Sequence, residues 1–196
     1  MKAAKTLKKN GSGKSTAEKK GFPVWLTLAL VCLIVAGILG AVSAITEEPI
    51  ALRTAEKNFA SRQAAFPGAD EFTALPVGED AAVDACYEAL KDGEQVGYVT
   101  QITVNGCKGP IEIQAGFDLS GRVTGVTCGG SSFAETAGLG AKVKDESFRS
   151  QFTGRELPLS YEQEGLDAIT GATVSSRAVL GGVNTAGTWL AENTEG

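Results

Sequence analysis

Between Phe22 and Ile45 the chain runs for 24 residues without a charged side chain. As a helix rising about 1.5 Å per residue, that stretch covers roughly 36 Å, enough for a hydrocarbon core of about 30 Å. The pattern changes at Thr46-Glu47-Glu48-Pro49. From Pro49 to Phe66, Ile50, Leu52, Ala55 and Phe59 mark the apolar positions of a helix that Pro67-Gly68 closes. Two strand-like segments follow, Ala82 to Leu90 and Gln95 to Val104, joined at Lys91-Asp92-Gly93-Glu94, where Asp-Gly favours a hairpin turn. A second hairpin is marked by Ile111, Ile113 and Ala115 alternating with polar residues, a Ser120-Gly121 turn, and Val123, Val126 and Cys128 on the return strand. The last strong period is helical, from about Val174 to Glu192, with Val179, Leu180, Val183, Trp189 and Leu190 apolar. An antiparallel sheet flanked by helices is α+β architecture. The chain then divides into an arm (1–20), a transmembrane helix (21–45), a linker helix and loop (46–80) and one folded domain (81–196).

Charge gives the anchor a direction. Residues 1–20 hold seven lysines and one glutamate, whereas residues 21–196 hold 11 basic and 22 acidic side chains. Lys2, Lys5, Lys8, Lys9, Lys14, Lys19 and Lys20 precede the span, so the positive-inside rule places the N-terminus in the cytoplasm and the acidic domain outside. A cleaved signal peptide is the alternative, since Val42-Ser43-Ala44 resembles a small-residue cleavage site. The apolar run is much longer than a signal core of roughly 7 to 15 residues, however, and Trp25 suits a permanent interfacial anchor. An acidic domain repels phosphate polymers, which argues against nucleic acid as a partner. The chain contains no histidine, so the commonest general base and metal ligand is missing. Asn10-Gly11-Ser12-Gly13-Lys14-Ser15-Thr16 imitates the end of a phosphate-binding loop, but Lys8 stands where the pattern needs its first glycine and no apolar strand precedes it. It reads as a polar, basic arm.

Cys32 lies in the span, and Cys86, Cys107 and Cys128 are spread through the outer domain with no C-x-x-C pair. Either two of the three pair in an oxidising exterior or all remain thiols.

Chemistry concentrates in Asp167-Ala168-Ile169-Thr170-Gly171-Ala172-Thr173-Val174-Ser175-Ser176-Arg177. Gly171 and Ala172 leave the backbone open to close approach, and Thr173 falls where the final helix should begin. An anion placed there meets unpaired amides and the positive end of the helix dipole, with the Thr173, Ser175 and Ser176 hydroxyls nearby. The same residue types also cap helices with no ligand present. Glu135-Thr136-Ala137-Gly138-Leu139-Gly140-Ala141-Lys142 is a second distinctive stretch. Its glycines let amides approach a planar ring or phosphate, and Glu135 can accept hydrogen bonds from ribityl-type hydroxyls, although an ordinary glycine-rich turn has the same composition.

Asp167-x-x-Thr170-Gly171-Ala172-Thr173 resembles the flavinylation motif of FMN-binding domains, as in the G subunit of Rnf-type ferredoxin:NAD oxidoreductases and the C subunit of sodium-translocating NADH:quinone oxidoreductases. The Glu135–Lys142 stretch is similar to that family's E-T-P-G-L-G loop, and Gly97-Tyr98 and Gly106-Cys107-Lys108-Gly109-Pro110-Ile111 are similar to its G-Y and G-Y-G-G-P-I segments. The resemblance covers essentially the whole chain. Departures are Ala137 for the loop proline, Phe133 for a frequent histidine and Cys107 for a common tyrosine.

The resemblance implies FMN joined through a phosphodiester to Thr173. Thr170, Gly171, Ala172, Ser175, Ser176, Glu135, Thr136, Gly138, Leu139 and Gly140 would surround it. It further implies a separate flavin transferase that uses FAD, contacts with other subunits of a membrane complex and with lipid, and electron transfer coupled to sodium or proton export. The protein's task would be to place and tune the flavin, without a catalytic triad or metal site. A C-type subunit of the quinone enzyme and a flavin-free membrane-anchored assembly module are the alternative readings.

Overall fold

The computed structural model describes residues 24–194. The basic arm, including the Gly11-Ser12-Gly13-Lys14 segment, lies outside the described residues. The chain divides into two units, Met1–Ile50 and Ala51–Gly196.

In the first unit the apolar run is helical, and Trp25–Ser43 is long and apolar enough to cross a membrane. Its large side chains, among them Trp25, Leu28, Leu33 and Leu39, are exposed rather than packed against protein. The helix does not end there. Helix α1 runs from Val24 to Ala65 as 42 residues, so the separate linker helix expected to begin at Pro49 is the later part of one continuous helix. Proline suits a first helical turn, which makes Thr-Glu-Glu-Pro look like a helix start, but inside a helix it also removes a backbone donor without necessarily ending the run.

The second unit is built on a five-stranded antiparallel meander in the order β1-β2-β3-β4-β5. The strands are β1 (Glu71–Leu75), β2 (Ala85–Lys91), β3 (Glu94–Asn105), β4 (Pro110–Asp118) and β5 (Val123–Gly129). Strand β1 falls in the stretch expected to be loop, and pairs along β2 from Glu71 opposite Leu90 to Leu75 opposite Cys86. The two hairpins are where the turn residues place them. Asp92 and Gly93, at φ 53° and 83°, make the first turn. At the second, the Asp118 carboxylate accepts from the amides of Ser120 and Arg122, each at 2.9 Å.

After β5 come two short 3-10 turns, Gly140–Lys144 and Ser150–Phe152, around a one-turn helix, α2 (Glu146–Arg149). The chain ends in helix α3, Thr173–Thr194. Helix α3 buries Val179, Val183, Ala186 and Leu190, spaced four, three and four residues apart, in the core formed with Ile111, Ile113, Ala115 and Phe117.

The sheet's other face is covered too. Ala65 and Phe66 pack with Ala69, Ala89 and Val99, and the Arg62 guanidinium lies 3.7 Å from the centre of the Tyr87 ring. Thr124 Oγ1 donates to the Ala65 carbonyl at 2.9 Å, and Thr127 Oγ1 to that of Ser61 at 3.4 Å. The Ala65 carbonyl, last in the helix, has no intrahelical partner, so a β5 hydroxyl satisfies it. With both faces covered, β4 is buried almost end to end, including Gln114 and Gly116 at the positions its alternation marks as polar or small.

All four cysteines are thiols: Cys86 buried, Cys128 half-buried, Cys32 and Cys107 exposed. Burial pushes Cys86 up to about 11. Burial also pushes Cys128 up to about 12, although Arg149 and Lys144 lie near enough to pull it down.

Candidate functional site

The turn before α3 is locally determined. The Ala172 amide donates to the Ile169 carbonyl at 2.9 Å, and Gly171 lies at φ 79°, a left-handed conformation that a side chain would strain. The Ser176 amide donates to Ala172 O at 3.0 Å and begins the ladder of α3. The amides of Thr173, Val174 and Ser175 precede it, in the positions for which a helix has no carbonyl of its own. Thr173 is therefore an exposed hydroxyl at the first residue of a 22-residue helix.

Ser176 supports this turn from beneath. It is fully buried, its hydroxyl accepts from the Ile169 amide and donates to the Ala172 carbonyl, both at 3.0 Å, and its carbonyl receives the Tyr161 hydroxyl at 2.7 Å. Burial raises the Tyr161 phenol to about 12, more than its hydrogen bond to Ser176 lowers it. The hydroxyl stays protonated and remains a donor.

Ser175 points a different way. Its buried hydroxyl donates to Glu135 Oε2 at 2.8 Å, while Glu135 Oε1 accepts the Lys108 amide at 2.9 Å. Partial burial alone would raise the Glu135 carboxyl. Hydrogen bonds from the Lys108 amide, Ser175 and the Cys107 and Gly109 amides outweigh it and hold the carboxyl below its ordinary range. Gly140 and Gly106 make room for this arrangement, since a Cβ at either would collide with the Glu135 carboxylate. The loop itself is closed by the Leu139 and Ala141 amides, each donating to Thr136 O at 3.1 Å. Leu139 lies against the turn, where a Cβ on Gly171 would come 3.2 Å from its Cδ2.

The structure thus brings together Glu135, Gly140 and Ser175, and sets Leu139 beside Gly171, two residues before Thr173. Thr136, Gly138 and Thr170 are exposed on the same loop and turn, Ala172 is buried, and the Ser176 hydroxyl is committed to backbone groups. Two contributors had no role assigned from sequence: the Lys108 amide and Tyr161. The glycines of the Gly106–Gly109 stretch were a usable signal for the first. Tyr161 lies in an irregular segment with no periodicity to place it.

Residues 106–188 match the FMN-binding domain family. That span opens at the Gly106 loop and closes inside α3, so it contains every group just described. Over 185 residues the chain is 30% identical to the G subunit of the Na(+)-translocating ferredoxin:NAD(+) oxidoreductase complex of Acetobacterium woodii, covering 83% of this chain and 88% of the relative. It is 31% identical over 175 residues to the G subunit of the ion-translocating oxidoreductase complex of Methanosarcina acetivorans, covering 83% and 90%. The crystal structure of the C subunit of the Na(+)-translocating NADH-quinone reductase from Parabacteroides distasonis shares the fold, with a TM-score of 0.54 at 18% identity over 74% of this chain and 96% of that one. With the extent of these matches and the loop and turn that meet at α3, the chain belongs to the family of G subunits of ion-translocating oxidoreductase complexes.

Proposed function

We propose that this protein is the electron-transfer subunit of an Rnf-type membrane complex coupling ferredoxin:NAD oxidoreduction to sodium or proton export, with FMN joined covalently to Thr173 Oγ. The observation that carries the reading is the exposed Thr173 hydroxyl at the start of α3, beside amides that the helix ladder leaves over.

The surroundings fit such a group. Thr170, Gly171 and Ala172 form the turn that a phosphate would approach, with the dipole of α3 behind it. Leu139 and Val174 are apolar yet 45% and 58% exposed, and offer surface to a planar ring. Thr136 and Gly138 lie on the outer part of the loop, while Glu135, Gly140, Ser175 and Ser176 hold loop and helix in place. FMN supplies one-electron and two-electron transfer when bound, and the protein supplies its position.

Attachment requires a flavin transferase with FAD as donor. The Thr173 Oγ–P bond forms at the FMN phosphorus, the P–O bond of the FAD pyrophosphate breaks, AMP departs with the bonding pair, and the hydroxyl proton passes to a base on the transferase. A covalent tether keeps the cofactor in either redox state, which suits a carrier placed outside the membrane. The lysines before the span argue for that orientation, with the N-terminus cytoplasmic. Lipid surrounds Trp25–Ser43, and the remaining partners are the other subunits of the complex.

Intact mass and in-gel flavin fluorescence after denaturation, on chain made together with a flavin transferase, test the attachment. The parent gains the mass of one FMN less water and fluoresces, and Thr173→Ala does neither. An unmodified parent would overturn the reading and leave a flavin-free assembly module.

A further inference from the structure

We infer that Glu135 is the positioning residue of the attachment site: it acts through Lys108 and Ser175, and locks the β3–β4 loop, the 135–140 loop and the first turn of α3 into one surface.

The two bonds that carry this join distant parts of the chain. Lys108 lies 27 residues before Glu135 and Ser175 lies 40 residues after it, and one carboxylate takes a donor from each, at 2.9 and 2.8 Å. The three segments share no strand pairing, so the carboxylate does what a ladder does elsewhere. Its seat is built for it, because both Gly106 and Gly140 must lack a Cβ for the carboxylate to fit between them.

The charge is met by amides and a hydroxyl rather than by a cation. The ion pair found among the described residues, Arg122 with Glu156, lies elsewhere. Hydrogen bonds to an ionised acceptor are directional and roughly twice as strong as neutral ones, which suits a fixed geometry. Glu135 also takes the side-chain hydroxyl of Ser175 and not its amide. The amides at the start of α3 therefore stay available to an anion, while the helix end is held in place. Both Glu135 oxygens accept from the protein itself, a structural role in addition to the ribityl acceptor that composition suggests.

The consequence for loading rests on the attachment reading, but the consequence for order does not. Hydrogen exchange on the full chain in detergent, followed in peptides covering 106–112 and 169–177, is compared with the rate of covalent FMN loading by a flavin transferase and FAD. Glu135→Ala is expected to speed exchange in both peptides, and to slow loading, by about tenfold or more, the scale of a lost charge-assisted bond. Glu135→Gln can still accept from the Lys108 amide and can donate to Ser175 Oγ, and should return both to within about threefold of the parent. If Glu135→Ala loosens the whole sheet as well, Ser175→Ala decides: it removes one arm only, and faster exchange in 169–177 with slower loading is expected. Unchanged exchange in Glu135→Ala, or loading at the parental rate despite faster exchange, overturns the proposal. A parent that never loads, with exchange still responding to Glu135, removes the flavin attachment and leaves the lock standing.

Discussion

At Glu135 two effects oppose each other. Partial removal from water disfavours the charged carboxylate, whereas donors from Lys108, Ser175, Cys107 and Gly109 favour it, and the donors win. The folded-state pKa therefore lies below that of the unfolded chain. Such a group contributes stability that is fully present above the unfolded value, about 4.3 for glutamate, and is lost as the pH falls through the folded one. Protonated, Glu135 resembles glutamine. The difference in urea midpoint between parent and Glu135→Gln should hold steady near neutrality and shrink below about pH 4. A difference that stays constant through the acid range would mean that the charge is not what holds the loops. At this scale Thr173 was legible because a hydroxyl, a small-residue turn and the start of an apolar period coincide within a few residues. The Lys108 contribution was not, because it is made by a backbone amide, which any residue but proline would supply.

Among the elements, both hairpins and α3 follow from local signals: Asp-Gly and Ser-Gly turns, alternation, and a 3.6-residue period. Strand β1 escaped because it is a short edge strand separated from its partner β2 by the loop 76–84, so its pairing is a tertiary matter. The continuity of α1 escaped because Thr-Glu-Glu-Pro carries the signals of a helix start. What covers the sheet's second face is the end of that helix, through Ala65 and Phe66. A chain beginning at Ala51 should keep a cooperative thermal transition, because it retains this cover. One beginning at Pro67 leaves Ala89 and Val99 exposed and should lose the transition or aggregate. Circular dichroism melts and size-exclusion profiles of the two distinguish these outcomes, and equal behaviour would show that the helix end is dispensable.

For the whole molecule, an apolar helix and an acidic FMN-binding domain belong to a membrane-anchored member of a larger complex. The cysteines offer a test of its orientation. Cys107 is exposed, whereas Cys86 and Cys128 are shielded and pushed up to about 11 and about 12, well above the pH at which thiolates form readily. A membrane-impermeant maleimide added to intact cells, after the outer layers are made permeable, should label Cys107 and lose that label in Cys107→Ser. Labelling that appears only after the cytoplasmic membrane is broken would place the domain inside.

Some properties were settled by order along the chain alone. The span, its basic leader, the two hairpins, the last helix and the Thr173 motif all depend on neighbours within a few residues, and local sterics and periodicity are enough to specify them. The tertiary structure decided which face of the sheet each helix covers, that β1 joins the sheet, that all four cysteines are thiols, and that Glu135 spans from Lys108 to Ser175. Those depend on residues far apart in the chain, such as Ser175 with Glu135 at 40 positions and Thr127 with Ser61 at 66, whose meeting is set by burial of a common core and has no local signature.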